Sequence, residues 1–472
     1  MHLRSYLATI ALTIFLFVLA RTTLAVGPGL QRGKETLYLS LPQAVALALK
    51  NNLSLQTARR NVNRAASNYR AAKAGYYPNI DVAVTGNQGF QSIIVADQLE
   101  YTQAFTAGFN ITATMPLDLS GAIGRAVQQA LISFITIKTN YAIAGQDLIV
   151  QIYQEYYDVL RGKESIKIDQ GQVAQTLEQL RIARERLKAG RVPEVDVITA
   201  QVQHDNARQN LKINEGNLEL AKSRLRNTLL LPQTVDLIPT DRLTFQPEKF
   251  SFERALEEAE KNRPEIKIAR LALESAQIAL RSTYDPYRPT LSLSANYGYN
   301  IAGLSPRDAW NERPPNFTHS YGLSFRIPLL IFDGGIIRES KYRALVDIDQ
   351  AKANIKDAQE GVSLEVKNAL TTLNNSRERV EIGKASIKLA QESLKIAEMR
   401  YRTGTTGYLE VTDARNNLRT AELNYLNALI QYSNAKIDVY RTLGRSLINE
   451  SSLQSAFSSF PAKDEKENVK IR

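Results

Sequence analysis

A stretch of this chain occurs twice, and that repetition restricts the available folds more than any other feature. Starting at Leu39, the run LSLPQAVALALKNN opens a segment that recurs without a gap from Phe250, pairing Ala44 with Ala255, Asn51 with Asn262 and Pro78 with Pro289. Roughly ten identities fall in about forty aligned positions, the signature of a tandem duplication. A second pair of stretches agrees. Residues 183–207 place Gly190, Val197, Ala200 and Ala207 where residues 397–421 have Gly404, Val411, Ala414 and Ala421. In the later copy Gly404 and Gly407 bracket Thr405 and Thr406, with apolar residues at helical spacing on both sides, as expected of two antiparallel helices joined by a short loop. Two structural repeats are therefore expected, at residues 26–230 and 250–445, with a connector over 231–249 rich in Pro, Thr and Asp and a second connector and disordered tail over 446–472.

Each repeat opens with helical patterning and changes period after a proline. Past Pro78, Ile80, Val82 and Val84 alternate with Asp81, Thr85 and Asn87; after a loop to about residue 104, Phe105, Ala107, Phe109, Ile111, Ala113 and Met115 alternate with polar residues and glycine. The second half repeats the plan, with Leu291, Leu293, Ala295, Tyr297 and Tyr299, then Phe317, Tyr321, Leu323, Phe325 and Ile327. Strands are expected at residues 79–88, 105–115, 290–300 and 317–327. Each has about ten residues, the length of a tilted membrane-crossing strand, with one apolar face carrying aromatics and one face of Ser, Thr, Asn and Gly. A soluble sheet with one buried face shows the same alternation. Four strands cannot close a membrane barrel, because open edges in hydrocarbon leave backbone groups unpaired at several kcal/mol each. A membrane location therefore requires several chains to share one barrel.

Between Pro116 and Pro193, and again between Pro328 and Pro461, there is no proline, so each half can hold a helix of about 65 residues, near 100 Å long. Ile152, Val159, Ile166, Val173, Leu180 and Leu187 recur every seventh residue, as do Val366, Leu373, Val380, Ile387, Leu394 and Tyr401. In the second half the companion positions Ala369, Ser376, Gly383, Ala390 and Ala397 are small, which permits close approach of a neighbouring helix. The return helices keep the spacing, with Val411, Leu418, Tyr425, Tyr432 and Val439 matched by Val197, His204, Leu211, Leu218 and Leu225. His204 is expected to be a packed seam residue rather than a ligand.

An apolar run at residues 6–20, preceded by Arg4 and followed by Thr23-Leu24-Ala25, has the form of a secretory signal, expected at residues 1–25. With no cysteine, the chain has neither disulfides nor a thiol for lipid attachment. The formal charge of +11 is spread along helices and falls to about +9 once Arg4 and Arg21 leave, so it gives no reason to expect nucleic acid as a partner. His2, His204 and His319 are the only histidines, and no phosphate-binding glycine loop, H-E-x-x-H or G-x-S-x-G pattern is present. No enzymatic activity, cofactor or metal is expected.

Taken together, the duplicated helix-strand-strand-helix-helix order, Pro-Leu-Leu-Ile-Phe-Asp-Gly-Gly at residues 328–335, and Arg400-Tyr401 followed by Gly404, Val411, Asp413-Ala414, Leu418 and Ala421 resemble the TolC-type outer membrane efflux proteins of Gram-negative bacteria. The resemblance implies a mixed α and β fold: a homotrimer sharing a twelve-stranded membrane barrel, four strands per chain, continued by a long α-helical coiled-coil barrel in the periplasm. It implies as partners outer membrane lipid, a periplasmic adaptor protein and an inner-membrane transporter. By position, Glu410 and Asp413 would line the pore aperture, and Tyr401 and Asp196 would form a gate latch. Gly190, Gly404 and Gly407 would mark the tips that dock the adaptor. A basic residue that strengthens the latch in some relatives would fall at Thr406, which offers no charge to a carboxylate; Arg402 and Arg191 lie nearby. The alternative is an exported coiled-coil scaffold or adhesin without a channel. Cargo, whether drugs, metal ions or polypeptides, is not encoded in these features.

Overall fold

The computed structural model describes residues 36–445 apart from 96–97, 304, 312–315 and 329–331. The expected signal at 1–25, the tail at 446–472 and part of the 328–335 motif lie outside the described residues. In chain order the first half holds β1 (Thr36–Leu39), α1 (Leu41–Asn51), α2 (Leu53–Ala74), β2 (Asn79–Val95), β3 (Gln98–Leu117), α3 (Ala122–Lys188) and α4 (Glu194–Thr228). After β4 (Asp236–Pro239) the second half holds α5 (Phe252–Asn262), α6 (Pro264–Ser282), β5 (Thr290–Gly303), α7 (Pro306–Asn311), β6 (Asn316–Arg326), α8 (Ile336–Arg402) and α9 (Tyr408–Thr442). The long helices match in length, 67 residues for α3 and α8 and 35 for α4 and α9.

The sheet has the antiparallel order β2-β3-β5-β6, leaving β2 and β6 as its edges within the chain. Its first hairpin is longer than the alternation indicates. The loop expected up to residue 104 is replaced by a ladder that runs from Asn79 with Thr114 to Val95 with Gln98. Backbone pairing in a hairpin needs no apolar face, so it continues where the side-chain pattern lapses. Across three strands Phe109 stacks on Tyr299, with ring centroids 5.9 Å apart, and Phe317 meets Tyr299 at a tilt, with centroids 4.9 Å apart. Val82, Val84, Leu323 and Phe325 remain exposed in the single chain. No helix among the described residues is long and apolar enough to cross a membrane.

Both helices that leave the sheet start in the same physical way. A glycine in the left-handed region, Gly121 or Gly335, precedes the first turn. An aspartate then accepts from free backbone amides: Asp118 from Ile123 and Gly124 at 3.1 and 2.9 Å, and Asp333 from Gly335 and Ile337 at 2.8 and 2.9 Å. These bonds hold the Asp333 carboxyl below its usual pKa. Down the rods the seventh-residue seam is buried where the hairpins pack: Ile152, Val159 and Leu180 in α3, and Val366, Leu373 and Val380 in α8. Small companions set the spacing. A Cβ at Gly383 would lie 3.3 Å from the Cα of Tyr425, so the return helix sits close there because Gly383 has no side chain.

Two apolar cores result, one around Ile152, Tyr156 and Leu225 and one around Val366, Leu373 and Tyr432. A belt formed by the termini of the halves closes them. β1 and β4 pair in parallel, a four-residue contact too short to register in sequence periodicity. Tyr156 Oη donates to Asp241 at 2.7 Å and to the Leu39 carbonyl at 2.9 Å as alternative acceptors, and Tyr432 Oη donates to the Gln246 carbonyl at 2.8 Å. Burial and the Glu248 carboxylate push the Tyr440 hydroxyl up to about 12, and burial raises Tyr157 to about 12.

Candidate functional site at the hairpin tips

The two tips are built alike. After α3, the Gly190 amide donates to the Leu187 carbonyl at 2.9 Å and the Arg191 amide to the Arg186 carbonyl at 2.9 Å; after α8, Gly404 donates to Tyr401 at 3.2 Å and Thr405 to Arg400 at 3.0 Å. This pair of bonds closes a helix end only when its central residue is left-handed, and φ is +66° at Gly190 and +76° at Gly404. Gly407 differs. Its backbone is extended at φ −79°, an ordinary conformation, and it takes the place that Pro193 holds before α4.

Glu410 and Asp413 both lie exposed in the first turns of α9. Glu410 is tied to its own tip: the Thr406 hydroxyl donates to its carboxylate, and Arg400 Nη1 lies 3.4 Å away. Thr406 therefore does bond a carboxylate, though through a neutral hydroxyl rather than the ion pair a basic residue would give. Asp413 has no hydrogen-bond or ion-pair partner among the described residues, and neither do the side chains of Arg191 and Arg402. The side chains of Tyr401 and Asp196 have no hydrogen-bond partner among the described residues. Instead, the Arg186 guanidinium sits 4.3 Å from the Tyr401 ring centroid, and the ring meets Tyr408 edge-on at 6.0 Å.

The contacts that join the first hairpin to the second are ones that periodicity does not reveal. Tyr408 packs against Leu180, Ala183 and Ala200 of the first hairpin, and burial raises its hydroxyl pKa. Its Oη lies 2.6 Å from the Gln179 side-chain amide, which donates to it once the amide oxygen is turned toward the Arg415 guanidinium, 2.7 Å from Nη2. Arg415 also pairs with Glu398 at 2.6 Å. About one turn further from the tip, Arg419 donates to Asp169 Oδ1 from Nε at 3.0 Å and from Nη2 at 2.7 Å, while Asn214 donates to Oδ2 at 2.5 Å. Asp169 is only 1% exposed, so three helices meet on one buried carboxylate. The sequence carries one sign of this: Asp169 occupies the companion position that is Gly383 in the second half. Beside this cluster is a cleft of about 300 Å³ lined by Lys167, Arg415, Arg419 and Glu422, where burial raises the Glu422 pKa.

His204 is buried in the seam, with Nδ1 3.2 Å from the Thr176 hydroxyl, and no metal-binding cluster of His, Asp and Glu occurs among the described residues. The geometry offers exposed acidic residues at a helical tip, held by bonds within and between hairpins.

A family model described as outer membrane efflux protein matches residues 44–229 and 255–445. Outer membrane protein TolC of Escherichia coli K12 is 27% identical over 332 residues, covering 69% of this chain but 64% of TolC, a little under two thirds of that relative. The proteases secretion protein PrtF of Dickeya chrysanthemi is 21% identical over 368 residues, covering 75% of this chain and 77% of PrtF. Among solved structures, CusC superposes with a TM-score of 0.71 at 20% identity, over 90% of this chain and 96% of that one. With both halves matched by one family model, the chain belongs to the outer membrane efflux protein family and resides in the outer membrane.

Proposed function

We propose that the chain is the outer membrane exit duct of a tripartite export system, receiving cargo through a periplasmic adaptor from an inner-membrane transporter and releasing it outside. The observation that carries this reading is the four-stranded sheet with two unpaired edges and exposed apolar side chains, joined directly to rods of 67 residues. Such a sheet is stable in a bilayer only if several copies close it into one barrel, and a homotrimer with twelve strands is the proposed assembly. The two halves then act as tandem structural repeats around the axis. The names of relatives include both efflux and protease secretion, so cargo class remains a property of the pump.

In this proposal the tips carrying Gly190, Gly404 and Gly407 dock the adaptor. Three copies of Glu410 and Asp413 surround the axis at the aperture, where their combined field attracts cations. Tyr401 and Asp196, whose side chains have no hydrogen-bond partner among the described residues of one copy, would form the latch when the hairpins of neighbouring copies pack. Opening would untwist one hairpin against its neighbours, a change between two packings biased by adaptor docking. Fractionation tests the reading: a detergent-extracted outer membrane trimer that conducts ions supports it, and a soluble elongated dimer, as expected of a scaffold or adhesin, overturns it.

A further inference from the structure

The register inside the chain can be carried across the joint between copies. The first hairpin pairs Asn79 with Thr114 and the second pairs Thr290 with Arg326. A shift of 211 between the first strands, as from Pro78 to Pro289, and of 212 between the second strands, as from Pro116 to Pro328, converts one hairpin register into the other. The two prolines in each half lie outside or at the end of the pairs so compared, so the sequence alignment and the ladders agree independently.

Within the described sheet the two halves meet at β3 and β5, pairing Ile111 with Tyr297, Thr112 with Asn296, Ala113 with Ala295 and Met115 with Leu293. Applying the same shifts turns β3 into β6 and β5 into β2, the two free edges. Resting on the shared-barrel reading above, we propose that β6 of one copy pairs antiparallel with β2 of the next in one register: Leu323 with Gly86, Ser324 with Thr85, Phe325 with Val84 and Ile327 with Val82.

The side chains agree with this register and with neither register one residue away. Phe325, Ile327, Val82 and Val84 are all exposed in the single chain, and the pairing brings them onto one face, while Ser324 and Thr85 fall together on the other. A slip of one residue would set Phe325 beside Thr85 or Ala83 and mix the lipid and lumen faces along the entire joint. A slip of two residues keeps the faces but breaks equivalence with the β3–β5 joint, and in a closed barrel it changes the stagger of the strands.

Engineered disulfides test the proposal, since the chain has no cysteine of its own. Adjacent antiparallel pairs alternate between closer and wider spacing, so two variants are needed: Thr85→Cys with Ser324→Cys, and Val84→Cys with Phe325→Cys. The control is Asn87→Cys with Ser324→Cys, a two-residue slip. In membranes under mild oxidant, at least one of the first two variants is expected to yield covalently linked trimers on non-reducing gels at tenfold or more the yield of the control. Equal or greater linkage of the control, or linkage by none of the three while the reduced variants remain trimeric, overturns the register. Native mass measurement of the unaltered protein separates the two failures: if it is not a trimer, the shared-barrel reading falls, and if it is, only the register does.

Discussion

Replacing Arg419 with alanine should loosen the joint between the two hairpins more than replacing Asp169, although the two residues are partners. Asp169 is 1% exposed, while the Arg419 side chain is 24% exposed. Removing Arg419 leaves a carboxylate shut away from water with a single neutral donor, Asn214, and breaking a buried pair in this way costs about 3–5 kcal/mol. Removing Asp169 leaves a guanidinium that can regain water, at about 1–3 kcal/mol. Because both changes destroy the same bonds, the double replacement should cost less than their sum by about 2 kcal/mol. Unfolding of so large a membrane protein is not two-state, so local opening is the right observable. Hydrogen exchange over residues 165–175 and 412–423 should quicken by roughly a hundredfold or more in Arg419→Ala and by about tenfold in Asp169→Ala, at 1.36 kcal/mol per decade. A change below threefold in Arg419→Ala, or additive single effects, would refute the view that this buried pair holds the hairpins together.

Asp413 has no hydrogen-bond or ion-pair partner among the described residues, so Asp413→Ala should weaken block by polyvalent cations in planar bilayers without altering assembly; unchanged block would place the aperture elsewhere. Tyr401→Phe keeps the ring that Arg186 covers but removes the hydroxyl, and a rise in basal conductance is expected if the hydroxyl is the latch. Gly404→Ala should destabilise the tip by about 1–2 kcal/mol, because φ is +76° there, whereas Gly407→Ala should be nearly neutral, as measured by protease nicking of the tip. For Tyr157 and Tyr440, both pushed up to about 12, stability is fully present below the ordinary tyrosine pKa near 10. It should fall between pH 10 and 12, as the unfolded hydroxyls ionise and the folded ones do not, and be lost above that window. Circular dichroism of the wild type against Tyr157→Phe and Tyr440→Phe checks this, the variants showing a shallower decline.

The long elements are legible because each obeys a repeating rule. A proline-free interval bounded by Pro116 and Pro193 frames α3, one starting at Pro328 frames α8 with α9, and the seventh-residue seam picks out Ile152, Val159, Val366 and Val380, which are buried. Alternation likewise finds the four strands but stops short at the first hairpin, where the β2–β3 ladder outlasts its apolar face. What sequence does not show are single contacts between distant residues. Asp169 and Arg419 are 250 positions apart, and Gln179 and Tyr408 are 229 apart, so neither pair leaves a periodic mark. At the tips the spacing sets Gly190, Gly404 and Gly407 alike in the turns, whereas the backbone is left-handed at Gly190 and Gly404 and extended at Gly407. Thr406 shows the same limit: residue type denies it an ion pair, but only the folded turn brings its hydroxyl onto Glu410.

The central claim is that copies of this chain form one conducting duct through the outer membrane, and single-channel recording of the purified protein in planar bilayers tests it most directly. The account predicts trimers that insert as single units, conduct with a preference for cations and lose that preference when Glu410 and Asp413 are both neutralised. A protein that remains outside the bilayer as a soluble dimer, or that inserts without conducting, would contradict it.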